Sequence, residues 1–311
     1  MVRIGTSELD IFPLVLGGNV FGWTADRDAS FAVLDAFTAG GGNAIDSADV
    51  YSAWADGNAG GESEAILGEW MADRGNRRDV IVATKGGSLE GLTGGSRDSL
   101  RKAIDGSLDR LKTDYIDLYY LHRDDADTPL EETIGALSEF VDEGKARYVA
   151  LSNFSAERLT EALAVAERIG AHPLVALQPL YNLVEREKYE GPLEQVVEKS
   201  GLSTIPYSSL ASGFLTGKYR DGSPSGDSPR ASGAAKYLDA RGRRVLAALD
   251  AVAANHGAEV GSVALAWLAA QPTVVAPIAS ARSVDHVPGL LASASLKLSA
   301  DELRSITDAS K

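Results

Sequence analysis

Four side chains with complementary acid–base chemistry lie between residues 46 and 122. Asp46 and Tyr51 share the stretch NAIDSADVYSAW (43–54), while Lys85 and His122 end the later runs VIVATK and YIDLYYLH. A lysine at the end of an apolar run needs a partner, because burying an unpaired ammonium costs several kcal/mol. Asp46 is a carboxylate at the end of another strand and is the candidate partner. An adjacent cation also lowers the pKa of a phenol, so Lys85 is expected to make Tyr51 a usable general acid.

Each of these residues also has an alternative explanation. A lone strand-end aspartate often forms a turn or caps a helix, and a lone histidine is often a hydrogen-bonded core residue. A lysine in such a position can also form a Schiff base, as in an aldolase-like mechanism. The acid–base hypothesis therefore depends on all four side chains meeting in one place.

The elements that would bring them together recur along the whole chain. Short apolar or β-branched runs alternate with amphipathic helical patterns, which is typical of parallel strands covered by helices. The runs are LVLGG (14–18), NAID (43–46), VIVATK (80–85), YIDLYYLH (115–122), YVALSN (148–153), LVALQ (174–178), STIPY (203–207) and VVAPIA (274–279). Eight such units predict a (β/α)8 TIM barrel, in which side chains at the C-terminal strand ends form the site.

The remaining segments extend this barrel without requiring a second domain. Residues 2–17 predict a short N-terminal hairpin with a turn near Ser7. The interval before the last strand holds a Gly/Ser/Pro-rich stretch (216–233), interpreted as a long mobile loop, and two helical patterns (238–257 and 260–271). We therefore expect one domain over residues 1–311, with extra helices near the C-terminus.

The composition of the chain argues against several classes of binding partner and of chemistry. The net charge of −14 opposes binding to nucleic acid and to anionic membrane surfaces. With no cysteine, the chain has no disulfides, thiolate nucleophiles or cysteine-ligated metals. The first residues lack the pattern of a signal peptide, and no run approaches the ~18 apolar residues of a membrane span, so a cytoplasmic location is expected.

The order of these motifs resembles the aldo-keto reductase family, including its members related to potassium channel β subunits. The similarity covers IDSADVY, VATKGG, YIDLYYLH, GGESEAILG, EGKARYVALSNF, LQPLYN and YSSLASGFLTGKY, and so nearly the whole chain. It implies a barrel that binds NADP(H) and reduces an aldehyde or ketone to an alcohol without a metal. By the same resemblance, Tyr51 would donate the proton. Lys85 and Asp46 would adjust the acidity of Tyr51, and His122 would orient the carbonyl.

The resemblance also implies the cofactor contacts. Tyr207 would stack on the nicotinamide, and Ser152, Asn153 and Gln178 would hold its carboxamide. Segments in 208–218 and 280–286 would meet the pyrophosphate and the adenosine 2′-phosphate. Their matching residues are Ser208, Leu210, Ser212, Gly213, Leu215, Lys218, Ser280, Arg282 and His286. His286 and Leu290 stand where the family pattern has Gln and Asn. The preference for NADP(H) over NAD(H) is therefore left open.

Three aromatic residues are candidates for the substrate pocket. Phe21 and Trp23 follow the first barrel strand, and Trp54 follows Tyr51, so that all three could form its wall. The identity of the small carbonyl substrate stays open, as do the physiological direction and whether the protein is a monomer or a homo-oligomer. A second function remains possible on the same site: a redox-sensing or channel-associated subunit that binds NADP(H) but turns over slowly.

Overall fold

The computed structural model describes residues 1–220 and 231–311. Within these residues a two-stranded antiparallel hairpin precedes an eight-stranded parallel sheet. The strands are β1 (Val2–Arg3), β2 (Asp10–Ile11), β3 (Val15–Gly17), β4 (Ala44–Asp46), β5 (Ile81–Gly86), β6 (Ile116–Leu121), β7 (Ala146–Ser152), β8 (Leu174–Gln178), β9 (Ser203–Thr204) and β10 (Ile278–Ala279). The core of the predicted long loop, residues 221–230, lies outside the described residues.

The sheet closes on itself into a barrel. Its strands run in the order β10, β3, β4, β5, β6, β7, β8, β9, and the last gap is bridged by Thr204. The Thr204 amide donates to the Thr273 carbonyl (2.9 Å), and the Thr204 carbonyl accepts from the Val275 amide (3.0 Å). These bonds join β9 to the segment that leads into β10 and confirm the predicted (β/α)8 barrel.

Helices cover the outside of the barrel, one after most strands and several before and after β10. They are α1 (Arg27–Ala39), α2 (Glu62–Arg74), α3 (Arg97–Leu111), α4 (Leu130–Asp142), α5 (Ala156–Ile169), α6 (Pro192–Ser200), α7 (Ala231–Ala235), α8 (Ala240–His256), α9 (Val260–Ala269), α10 (Val287–Ser293) and α11 (Ala300–Ala309). Local sequence explains their starts: Ser96, for example, accepts a hydrogen bond from the Ser99 amide and caps α3. No described helix has the length and apolarity needed to cross a bilayer.

Two hydrophobic layers result from the alternation of side chains along each strand. On β6, Leu118 and Tyr120 point into the barrel, while Tyr119 and Leu121 pack outward against helices. The hairpin closes the N-terminal end of the barrel, where Ile4, Leu9 and Ile11 join the inner layer and are at most 2% exposed. The C-terminal end is left open for polar side chains.

Candidate active site

The inward-facing positions at the C-terminal strand ends carry the predicted polar residues. On β4, Asp46 follows the inward Ala44 by two residues, and on β5, Lys85 follows the inward Ala83. Gln178 ends β8 in the same way, two residues after Ala176. Because the strand repeat is two, each of these side chains points into the barrel above an apolar layer.

Lys85 is the centre of the resulting network. Its side chain is fully buried, and Nζ donates to Asp46 Oδ2 (2.8 Å), to the Ser47 carbonyl (2.7 Å) and to Tyr51 Oη (2.8 Å). Tyr51 Oη also lies 3.0 Å from Asp46 Oδ2, and Gln178 Nε2 donates to Asp46 Oδ1 (2.9 Å). All three N–H groups of an ammonium are thus used. A buried, fully bonded lysine does not suit the Schiff-base alternative.

The pKa of Tyr51 corrects one expectation. Burial, together with the charge of Asp46 and the hydrogen bond to it, raises the pKa of Tyr51 well above its usual value of 10. The expected lowering by Lys85 is therefore wrong for this state of the protein, because burial disfavours the phenolate and Asp46 Oδ2 lies 3.0 Å from Tyr51 Oη, nearly as close as Lys85 Nζ at 2.8 Å. The phenol consequently keeps its proton throughout the neutral range.

His122 faces the same space from the end of β6. Its ring lies 6.2 Å from the Tyr51 ring, centroid to centroid, in an edge-on arrangement. Burial, with the nearby charges of Lys85 and Arg123, lowers the pKa of His122 to about 3, so the imidazole is neutral at physiological pH. Within the described residues its Nδ1 atom is buried without a hydrogen-bond partner. A neutral ring in this position can offer one N–H to a ligand.

These residues open onto a cavity of about 730 Å³ that runs across the C-terminal face. Most of the residues assigned to the cofactor line it: Ser152, Asn153, Gln178, Tyr207, Ser208, Leu210, Ser212, Gly213, Lys218, Ser280, Arg282 and His286. Leu215 does not; it is fully buried in the hydrophobic core between barrel and helices. The Leu215 side chain therefore does not reach the cavity, since an apolar side chain flanked by Phe214 gains more from the core than from the cavity.

A connected set of polar groups lies at the inner end of the cavity. The Tyr207 hydroxyl donates to Asn153 Oδ1 (2.7 Å), and Asn153 Nδ2 donates to the His122 carbonyl (2.9 Å) and to Ser152 Oγ (3.0 Å). Ser152 Oγ in turn donates to the Gln178 carbonyl (2.8 Å). Amide and hydroxyl groups fixed in this way can bind a planar carboxamide beside Tyr51.

The loop after β9 is held in an uncommon backbone conformation. Ser208, Ala211 and Ser212 have φ values of 54°, 48° and 56°, in the left-handed region that non-glycine residues seldom adopt. Such strain is concentrated in functional segments, where the surrounding structure holds it in place. Here it brings Ser208 and Ser212 to the cavity wall.

Two of the three predicted aromatic wall residues reach the cavity. Trp23 and Trp54 line it and pack edge to face, with ring centroids 5.6 Å apart. Trp54 also lies 6.1 Å from the Tyr51 ring and is 49% exposed. Phe21 is fully buried and packs in the core beneath this loop, so its assignment to the pocket is wrong. Its carbonyl, rather than its ring, is used, by Ser52 Oγ (2.7 Å).

Several lining residues carried no sequence signal that identified them. Asn19 accepts from Ser280 Oγ (2.6 Å) across 261 residues of chain, a contact that only the closed barrel creates. Arg123, directly after His122, lines the inner end, and Glu259 lines the outer end. Arg123 could have been found from its place beside a strand-end histidine. Glu259 precedes a helix and gives no comparable signal.

A closed (β/α)8 barrel whose open end joins a buried lysine, a carboxylate and a phenol defines a class of oxidoreductase. The model of the Aldo/keto reductase family matches residues 13–311, and the chain belongs to that family. A probable voltage-gated potassium channel subunit beta of Oryza sativa subsp. japonica is 37% identical over 295 residues, 92% of this chain and 88% of that protein.

Two fungal reductases are similarly related. The chain is 34% identical to aldo-keto reductase str7 of Strobilurus tenacellus, with 98% of this chain and 87% of that protein covered. It is 32% identical to norsolorinic acid reductase B of Aspergillus parasiticus, with 97% and 82% covered. The similarity therefore extends over the whole barrel and over its C-terminal helices.

Proposed function

We propose that the protein reduces small aldehydes or ketones to alcohols with NADPH, and that Tyr51 donates the proton. The observation that carries this proposal is the position of Lys85 Nζ, 2.8 Å from both Tyr51 Oη and Asp46 Oδ2, two residues that line the cavity. The family supports carbonyl reduction in general terms, and the named reductases among the relatives agree with it.

The residues of the cavity fit an extended dinucleotide. Ser152, Asn153 and Gln178 would hold a carboxamide at the inner end, while Lys218 and Arg282 at the outer end would bind phosphate groups. When bound, the reduced nicotinamide supplies the hydride for the carbonyl carbon.

Tyr51 supplies the proton that accompanies this hydride. Its raised pKa keeps the phenol protonated until negative charge develops on the substrate oxygen. The Lys85 ammonium, at hydrogen-bond distance from Tyr51 Oη, then stabilises the phenolate that remains. Asp46 keeps that ammonium in place, because without it the buried charge of Lys85 would be uncompensated.

His122 and the tryptophans would position the substrate. With Nδ1 buried and without an acceptor among the described residues, the tautomer with its proton on Nε2 buries no unpaired N–H. That N–H is then available to the carbonyl oxygen. Trp23 and Trp54 provide an aromatic wall beside it.

The test is a comparison of wild-type protein with Tyr51→Phe against a panel of aldehydes and ketones, with NADPH and with NADH. We expect kcat/KM to fall by roughly 10²- to 10⁴-fold, because general acid catalysis is lost. Cofactor affinity, measured by fluorescence, should stay within a few-fold. Tyr115→Phe is the matched control, since the Tyr115 ring lies against Arg77 and not in the cavity. Near-full activity of Tyr51→Phe with every substrate would contradict the assignment.

A second candidate is an NADP(H)-sensing or channel-associated subunit. It is favoured by the similarity to the rice protein that is described as a potassium channel subunit beta. The two candidates share the fold and the four polar residues, so the same panel separates them. Tight binding of NADPH without oxidation by any carbonyl would favour the sensor, and steady turnover would favour the reductase.

A further inference from the structure

Glu259 brings a negative charge to the outer end of the cavity, among positively charged groups. It immediately precedes α9 and lines the same wall as Lys218, Arg282 and His286. Its side chain does not cap its own helix. Throughout the part of the chain that the structure describes, the carboxylate has no hydrogen-bond or ion-pair partner. Glu259 is exposed, so water can solvate its carboxylate in this structure, and the group is available to accept a hydrogen bond from a bound ligand.

Gly289 makes this position of the carboxylate possible. A Cβ atom on Gly289 would lie 2.4 Å from Glu259 Oε2 and 3.0 Å from Oε1, closer than real contacts allow. The backbone at Gly289 is fixed from the same helix, because Ser262 Oγ donates to its carbonyl (2.7 Å). The carboxylate thus occupies the space that a side chain at position 289 would take.

The surroundings of the carboxylate suit a flat ring. Gly261 on α9 and Gly289 on α10 both line the cavity without side chains, and Leu290, 6% exposed, adds apolar surface beside them. An aromatic base has apolar faces and a polar edge, so it matches apolar surface that is bordered by a polar group. A carboxylate accepts hydrogen bonds only, and it therefore selects an edge that donates.

We propose that Glu259 recognises the adenine of the dinucleotide by accepting a hydrogen bond from its exocyclic amino group. This inference rests on the proposed function, because it assumes that the cavity binds a nicotinamide adenine dinucleotide. Phosphates are excluded as the partner of Glu259, since like charges repel, and Arg282 and Lys218 are the groups that attract them. The ribose hydroxyls are the competing partner, which the test below separates.

The experiment compares adenine cofactors with their hypoxanthine analogues, in which a carbonyl oxygen replaces the amino group. Binding of NADPH, NADH and both deamino analogues is measured by fluorescence titration, so the result does not depend on turnover. For the wild type we expect roughly tenfold weaker binding of the hypoxanthine forms, because two acceptors would face each other. Glu259→Gln, whose amide can also donate, should bring this ratio close to one.

Two further variants make the test specific. Gly289→Ala keeps the carboxylate but displaces it, and we expect the same loss of base discrimination with an intact fold. Glu198→Gln removes an equal charge from an exposed position on α6 outside the cavity, and it should leave the ratio unchanged.

The outcomes separate the two proposals. If no dinucleotide binds, the proposed function fails. If adenine and hypoxanthine forms bind equally to the wild type, or if Glu259→Gln changes only the ratio of NADPH to NADH, the carboxylate faces the ribose or solvent and the recognition of adenine is wrong.

Discussion

At the scale of single residues, the site is built from ionisable groups that burial holds in one protonation state. Tyr51 keeps its proton because burial and Asp46 raise its pKa, and His122 stays neutral because burial lowers its pKa to about 3. Lys85 is the exception that needs explicit compensation, and it has Asp46 within 2.8 Å. In the proposed reaction, solvent exclusion would therefore set proton donation and carbonyl orientation as much as charge pairing does.

Asp49 is a buried carboxylate that nearby positive charges compensate only in part. It is fully buried behind the site, and neither of its oxygens has a hydrogen-bond partner among the described residues. Burial and the nearby charge of Glu64 raise the pKa of Asp49 to about 7. In the unfolded chain the Asp49 carboxyl ionises near pH 4. The free energy of unfolding therefore falls as the pH rises from 4 to 7, and above pH 7 the folded protein bears the full cost of ionising Asp49.

Asp49→Asn should therefore stabilise the protein more at alkaline than at acidic pH. We expect the change in Tm relative to wild type to be more positive by several degrees at about pH 8.5 than at about pH 5, because only the wild type bears the ionisation cost. Asp117→Asn is the control: Asp117 is buried but pairs with Arg77 and Arg147, and its loss should lower Tm at both pH values. An equal effect of Asp49→Asn at the two pH values would contradict the raised pKa.

At the scale of secondary-structure elements, the N-terminal hairpin closes the barrel at the end away from the site. The Gly5 amide donates to Ser203 Oγ (2.7 Å), and the Glu8 amide donates to Tyr148 Oη (3.0 Å), so the turn is attached near the starts of two barrel strands. Gly5 has φ of 47°, and a Cβ there would lie 2.3 Å from the Val175 carbonyl oxygen. The hairpin is thus part of the core rather than an appendage.

Ile11→Ala should separate stability from function. Ile11 is fully buried in the inner layer, and we expect its truncation to lower the free energy of unfolding by roughly 2–5 kcal/mol, measured by urea denaturation. Cofactor affinity and kcat should not change, because the polar site occupies the opposite strand ends. Ile169→Ala, at a site 40% exposed, should cost little. A loss of activity without a loss of stability would show that the hairpin communicates with the site.

The sequence predicts a strand or helix well where a local pattern, such as an apolar run or a cap residue, marks it. The six strands from β3 to β8 and their following helices were predictable, because apolar runs and cap residues such as Ser96 mark them. The ends at Asp46 and Gln178 agree to the residue. The last two strands are shorter than the runs STIPY and VVAPIA suggest, since hydrogen bonds of Thr204 close the barrel between irregular segments. Such closure depends on distant residues and leaves no local pattern.

The same limit explains the errors in the site. Leu215 and Phe21 lie in segments that border the cavity, but their side chains turn into the core. The sequence did not identify Glu259 as a cavity residue, because its position depends on Gly289, which has no side chain and lies 30 residues further along. The identity of polar strand-end residues can be inferred from strand periodicity, whereas the direction of a loop side chain requires the packed structure.

At the scale of the whole molecule, the chain is negatively charged, whereas the outer end of its cavity carries positively charged side chains. The net charge is −14, yet the outer end of the cavity presents Lys218 and Arg282. Burial and these two cations lower the pKa of His286, so His286 adds no charge above neutral pH. Spread over the surface, the negative charges act through a screening length of roughly 8 Å, whereas a contact between Arg282 and a phosphate is screened much less.

Arg282→Gln should therefore weaken NADPH binding by roughly tenfold and change NADH binding only slightly, because the 2′-phosphate is the group that distinguishes them. The ratio of the two dissociation constants isolates the 2′-phosphate, since both cofactors share the nicotinamide, the pyrophosphate and the adenine. We expect the preference of the wild type for NADPH to decline as salt rises, and the preference of Arg282→Gln to be nearly independent of salt. Arg78→Gln, at an exposed position outside the cavity, removes the same charge and should leave the ratio unaltered. A similar loss with Arg78→Gln would mean that the net charge, and not the local contact, sets cofactor preference.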